Sequence, residues 1–328
     1  MPEQALNTPA ERDPGAPEQP PAVTGDLARV LGFLHGFARR RAPRVLPAPG
    51  GFAVLDDRFP GSYDDNKLIV TEDADPALLL KAADDLLATR GHRLICVDDD
   101  RLGTAYAPVF TAAGYERETT LVMTFAGDLP EAPPPAERLE PDELLPVLRR
   151  DWRHTLPEAP EEVIEGLARR VEARPAGADV VRFHGVRAPS GEIAARADLY
   201  VHDGVAQIEN VFTGHLHRGA GHARALMTAL LTEAAAQLAG SRSRSRGAAG
   251  AADRFAGVTA GRETAGRETA GGEAGGVSPC SGEAGGGEAG GGESGLIFLL
   301  ADADDWPHRF YRRLGFTELA RTHAFLRT

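Results

Sequence analysis

The chain is poor in sulfur and in tryptophan: among 328 residues it has two cysteines, three methionines and two tryptophans. Cys96 and Cys280 stand far apart in dissimilar surroundings, which excludes a disulfide framework and any cysteine-based metal motif. No stretch approaches the ~20 apolar residues that a membrane span needs, so no membrane partner is expected. Met1 to Thr24 is rich in Pro, Glu and Ala and has no apolar core. It reads as a disordered tail, not as a secretory or transit signal, and a cytoplasmic location follows by default. Basic residues are outnumbered, 36 Lys and Arg against 48 Asp and Glu, for a net charge of −12. That balance argues against nucleic acid as a general partner and mildly favours a cationic or neutral substrate. A hydrophobic content of 42% suits a globular protein, and the length suits about two domains.

What is present is organised around Glu209 to Ala239. Ile208, Val211 and Phe212 suit a buried strand. Arg218-Gly219-Ala220-Gly221-His222-Ala223 follows as a glycine turn. Leu226, Met227, Leu230, Leu231, Ala234 and Leu238 then recur at helical spacing on one face. A helix that opens just after two glycines offers unpaired N–H groups and the positive end of its dipole, which is a site for a phosphate.

Before this stretch, the pattern predicts a helix over 25–41, a hairpin over 44–57 and strands at 66–70, 93–97 and 115–125. Helices are expected over 76–89 and 105–113. The run Pro133-Pro134-Pro135 makes 128–137 a linker. Two helical segments then precede antiparallel strands at 180–185, 192–202 and 205–213. Residues 240–295 hold 18 of the chain's 38 glycines and little that could be buried, so a disordered insertion is expected there. Such an insertion can be borne because closure cost grows slowly with loop length. Strand 296–300, helix 306–314 and strand 317–327 complete the chain. Arg93 to Tyr115 and Leu296 to Phe316 share one order of strand, short helix, glycine-aromatic pair and strand, an internal repeat.

Arg218 to Ala223 fits R/Q-x-x-G-x-G/A, and Phe310-Tyr311-Arg312-Arg313-Leu314-Gly315-Phe316 carries Tyr-x-x-Leu-Gly-Phe. Together they make the chain resemble the GNAT superfamily of acyl-CoA-dependent N-acetyltransferases, well over 138–328 and faintly before. The repeat makes it resemble a tandem GNAT protein. The fold class implied is α+β: two tandem GNAT-type domains, each a mixed, mostly antiparallel sheet flanked by helices. The divisions would be a degenerate copy at 25–127 and a catalytic copy at 138–328. The first copy runs after its third strand into Thr71-Glu72-Asp73-Ala74-Asp75-Pro76. It has no glycine loop, its carboxylates would repel a pyrophosphate, and Phe110 stands in the place of Tyr311.

The resemblance implies acetyl-CoA as co-substrate and a small-molecule amine as acceptor. Arg218, Gly219, Ala220, Gly221, His222 and Ala223 would hold the pyrophosphate. Val211, Phe212 and Thr213 would pair with the pantetheine arm, with the Phe212 N–H polarising the thioester carbonyl. Tyr311 is the candidate general acid toward the thiolate, against the alternative of a core aromatic. Glu209 is the candidate base, with Asp198 and Asp203 as weaker alternatives. Strand alternation would place Glu209 with Val211 on one face and Ile208 with Asn210 on the other. Many relatives have Asn near Asp304. Here the acidic residues suggest helix capping by Asp304 or Asp305. No metal is expected at His215, His217 and His222, which lack a carboxylate or cysteine at ligand spacing.

Two other functions compete. A dinucleotide-binding oxidoreductase would use Gly219-x-Gly221, but Arg224 replaces the third glycine and the preceding strands are hairpin-linked. A non-catalytic acyl-CoA binder or scaffold would keep the loop without chemistry. The sequence leaves the acceptor amine, acyl-chain preference and oligomeric state open.

Overall fold

A computed structural model describes residues 25–131, 133–256 and 295–328. The expected N-terminal tail and residues 257–294 of the expected insertion lie outside them. The first half comprises α1 (Gly25–Arg41), β1 (Arg44–Ala48), β2 (Gly51–Leu55), β3 (Lys67–Val70), α2 (Pro76–Leu86), β4 (Arg93–Val97), α3 (Asp100–Ala112) and β5 (Glu116–Phe125). The second comprises β6 (Glu137–Leu139), α4 (Pro141–Thr155), α5 (Glu161–Arg169), a 3-10 segment Arg170–Ala176, β7 (Val180–Arg187), β8 (Ile193–His202), β9 (Val205–Thr213), α6 (His222–Ala256), β10 (Leu296–Asp302), α7 (Pro307–Arg313) and β11 (Phe316–Arg327).

α6 departs from expectation. Composition predicts disorder from Gly240, yet the helix continues to Ala256. Alanine and arginine are among the best helix formers, and extending a formed helix avoids the cost of nucleation. A few glycines at ~1 kcal/mol each do not stop it.

All strands among the described residues join one 11-stranded sheet in the order β1-β2-β3-β4-β11-β5-β10-β9-β8-β7-β6. The two expected copies are present: β3-α2-β4-α3-β5 and β9-α6-β10-α7-β11 repeat the same units. Their final strands are exchanged. β11 pairs with β4 of the first half, β5 pairs with β10 of the second, and β5 and β11 pair antiparallel at the centre. The proline-rich segment carries the chain from β5 to β6, five inter-strand steps away. At ~4.8 Å per step that is roughly 24 Å. The intervening residues span about 36 Å when extended, so an extended segment suffices.

Helices cover both faces. α6 and α7 pack Leu226, Leu230 and Tyr311 on Leu121, Ile208 and Leu299. α2 and α3 pack Leu79 and Phe110 on Leu68, Ile95 and Phe325 of the same face. On the opposite face α1 sets Val30, Phe33 and Phe37 on Val122, Tyr200 and Phe298. Leu144, Leu148 and Ala168 of α4 and α5 lie beside them on Phe183. α1, the opening helix of the first half, thus contacts strands of the second.

The exchange binds the halves into one cooperative unit. Calorimetry of the full chain should give a single unfolding transition. Residues 138–328 expressed alone should fail to fold, because β10 loses β5 and β11 loses both its partners. Two resolved transitions, or a stable second half, would contradict this.

Candidate active site

β9 leads through a short turn, His215–His217, into the glycines and then α6. Gly219 and Gly221 have φ of +80° and +83°. No atom lies within 4 Å of a Cβ placed on either, so glycine is required by the left-handed backbone and the space above the loop is open. Ala225 N–H bonds the Gly221 carbonyl at 3.0 Å, which leaves the N–H groups just before it as the free donors of the α6 N-terminus. The exposed Arg218 is oriented by its Nε–H donating to the Thr213 carbonyl at 3.3 Å.

This mouth opens into a cleft of about 460 Å³. One wall is Val211, Phe212 and Thr213 of β9. The opposite wall is Trp306, Phe310 and Tyr311 beside and on α7. Arg218, Arg224 and Arg313 line it, a concentration of positive charge on a chain of net −12. The structure therefore brings together the cradle residues Arg218, Gly219, Gly221, His222 and Ala223 with Tyr311 in one cleft; Ala220 is the exposed residue between the two glycines.

The cleft exists because two strands part. β9 and β10 run parallel and pair only over Val205–Gln207 and Leu296–Phe298. Beyond Gln207 no strand pairs with β9 on that side among the described residues. A bulge sits at the parting: the β8–β9 register shifts between Arg196 and Asp198, and Asn210 has φ +54°. Its side chain is clamped. Asn210 Nδ2 donates to Asp198 at 2.9 Å, the Tyr200 hydroxyl donates to the same oxygen at 2.6 Å, and Arg174 pairs with it.

The bulge overturns the expected alternation. Glu209 and Asn210 both face a second cavity, whereas Val211 packs with Ile208 against the α6–α7 core. The extra residue reverses the alternation at that point. Asp198 is the clamp, so it is not free to act as a base. Asp203 sits in the β8–β9 turn with φ +47°, away from both cavities.

The second cavity, about 250 Å³, lies on the α1 face where the halves meet. Glu209 opens into it. Burial, with Asp64 and Asp198 nearby, pushes its carboxyl up to about 7, opposed by Arg174 and Lys67. Tyr311 is buried among Phe310 and Phe316; burial first, and Glu209 second, push its phenol up to about 12. Tyr311 thus feels the charge of Glu209 although the two face different cavities. Sequence reasoning missed the second cavity, whose residues come from seven strands and two helical segments and share no local motif.

The corresponding mouth of the first half is closed from within. Asp75 caps α2 by accepting from Ala77 N–H at 2.8 Å, and Pro76 supplies no donor. The Tyr106 hydroxyl donates to Asp73 at 2.5 Å and accepts from Ala74 N–H at 2.9 Å. Phe110 is core, with no exposed surface. At α7 the expected capping is absent: Trp306 is the N-cap, without a side-chain cap bond. Asp305 accepts instead from Trp306 N–H.

No family model matches the chain, and no curated protein matches it. Solved structures do. A functionally unknown conserved protein from Staphylococcus epidermidis aligns over 87% of this chain and 94% of its own, at TM-score 0.51 and 9% identity. A GCN5-related N-acetyltransferase from Kribbella flavida aligns over 92% and 95%, at TM-score 0.50 and 18% identity. A tandem GNAT protein from the clavulanic acid biosynthesis pathway aligns over 92% and 94%, at TM-score 0.44 and 13% identity. Identities this low speak for the fold alone: the chain shares its fold with the Staphylococcus protein and with the Kribbella GCN5-related N-acetyltransferase, and it builds that fold from two copies of one unit.

Proposed function

We propose that the protein is an acetyl-CoA-dependent N-acetyltransferase that acetylates a primary amine of a small molecule by direct attack in a ternary complex. The observation that carries this reading is the parted β9–β10 edge, with a phosphate-type cradle and the Tyr311 phenol on one side and Glu209 on the other. The open left-handed glycines, the α6 N-terminus and three arginines fit a pyrophosphate. Val211, Phe212 and Thr213 offer an unpaired strand edge to the pantetheine arm. The Phe212 N–H is assigned to the thioester carbonyl, where negative charge develops.

Acetyl-CoA supplies an activated acyl carbon. The chain's residues must then manage two protons. Glu209, ionised above about pH 7, accepts a proton from the attacking amine, through water where the two are not in contact. As the carbon–sulfur bond breaks, Tyr311 donates toward the sulfur. A phenol pushed up to about 12 keeps its proton at neutral pH. It is a weaker acid than an ordinary thiol at ~8.5, so it contributes most as a hydrogen bond to charge developing in the transition state. The closed first-half mouth makes this a single-site enzyme. The insertion beyond Ala256 plays no part in this reading.

The test is release of free thiol on incubation with acetyl-CoA and an amine panel. Binding without release would favour an acyl-CoA-binding scaffold. Three variants sharpen it. Gly221→Val forces a β-branched residue to positive φ and should weaken acetyl-CoA binding by about tenfold or more in calorimetry. Wild-type kcat/KM should rise with pH through about 7 as Glu209 ionises. Glu209→Gln should lose that limb and about 100-fold in rate; a profile matching wild type would exclude Glu209. Tyr311→Phe should lower kcat while acetyl-CoA affinity stays near wild type, and undiminished turnover would remove Tyr311 from the mechanism.

A further inference from the structure

The cavity into which Glu209 opens has a charge pattern of its own. At about 250 Å³ it falls just below the ~300–1,000 Å³ typical of small-molecule sites. A compact metabolite fits it; a polypeptide or a long polyamine does not. Its apolar wall includes Phe37 and Tyr200, whose rings stack at 4.7 Å.

Cations cluster on a pair of carboxylates at its wall. Asp64 and Asp65 are held by Arg41 and Arg170, each of which contacts both carboxylates, and Lys67 adds a bond to Asp64 at 2.7 Å. Three cations meet two carboxylates, so one positive charge is left over beside the cavity. An ammonium has three donors and a guanidinium five. Among the described residues, Lys67 bonds only Asp64 and Arg174 bonds only Asp198, and both line the cavity with donors to spare. A partly buried cation of this kind favours an anionic partner.

One carboxylate in the cavity wall has acceptor capacity left. Gln207 Nε2–H donates to one oxygen of Glu209, and the second is free of any bond among the described residues. Asp98 is already paired with His35 at 2.6 Å. Glu209 feels both Lys67 and Arg174, so this carboxylate and the two cations lie within electrostatic reach of one another. A bare amine would satisfy Glu209 and leave the cations facing apolar carbon. A simple acid would do the reverse.

We propose that the acceptor is a small amino acid, its amine directed to Glu209 and its carboxylate held by Lys67 and Arg174. This rests on the N-acetyltransferase reading and adds the acceptor's second charged group. Both halves of the chain then contribute to one acceptor site: Lys67 from β3, and Arg174 and Glu209 from the second half.

The experiment compares amino acids with the amines left by their decarboxylation, phenylalanine with phenethylamine and lysine with cadaverine, at saturating acetyl-CoA. Thiol release should favour the amino acid in at least one pair by about 30-fold in kcat/KM, the scale of one charge-assisted contact. In Lys67→Met that preference should fall about tenfold, through KM more than kcat. If Lys67→Met does not fold, the wild-type comparison decides alone. Equal or better turnover of the decarboxylated amine in every pair would overturn the proposal while leaving the transferase reading intact. No thiol release with any acceptor, despite acetyl-CoA binding, would overturn the transferase reading and this proposal with it.

Discussion

The site depends on two parallel strands being kept apart. β9 and β10 begin as neighbours and then separate at Gln207. Left alone, their exposed edges would gain by pairing. The bulge at Asn210 prevents this, and it carries a cost: a residue other than glycine at positive φ is disfavoured by ~1–2 kcal/mol. The clamp outweighs that cost. Asp198 is buried and receives Arg174, the Tyr200 hydroxyl and Asn210 Nδ2. Breaking such a buried pair typically costs ~3–5 kcal/mol. Asn is also the residue that adopts left-handed backbone most easily after glycine, and only a side chain with a donor can reach the clamp. Glycine there would relieve the backbone and lose the bond.

The same bulge sorts the chemistry. Ahead of it, Gln207 and Glu209 point to the α1 face. Behind it, Val211 turns to the face of α6 and α7, where the cradle and Tyr311 lie. A regular strand would have put Glu209 and Val211 on one side and merged the two cavities' walls. In the proposed reaction, this one inserted residue would let the co-substrate approach from one face and the acceptor from the other.

The legible parts of the sequence were those whose cause is local. Gly219 and Gly221 before an amphipathic helix, and Tyr311 ahead of Leu314-Gly315-Phe316, each act within a few residues, and the structure puts them into one cleft. The hairpins and most helices were legible for the same reason. The exchange of β5 and β11 was not, because hydrophobic alternation tells a strand which face to bury but not which neighbour to take. Asn210 gave no signal either, since its conformation depends on Asp198, twelve positions earlier and across a strand pair. The second cavity was hidden for a related reason: Lys67 and Arg174 look like ordinary surface charges until the exchanged strands bring the halves together.

The first half shows how little separates an open mouth from a closed one. Its core aromatic, Phe110, matches the place of Tyr311, but its functional difference lies one turn earlier. Tyr106 reaches back to the loop after β3 and occupies Asp73 and the Ala74 N–H, the groups that a ligand would meet first. Asp75 takes a further donor. The loop's hydrogen-bonding capacity is thus satisfied from within, and an incoming phosphate would have to displace a phenol and face two carboxylates. What the half retains is its sheet. β4 supports β11, β5 supports β10, and β3 brings Lys67 to the wall of the shared cavity. A copy with a sealed mouth can therefore remain indispensable, because the surviving site leans on its strands and its charge.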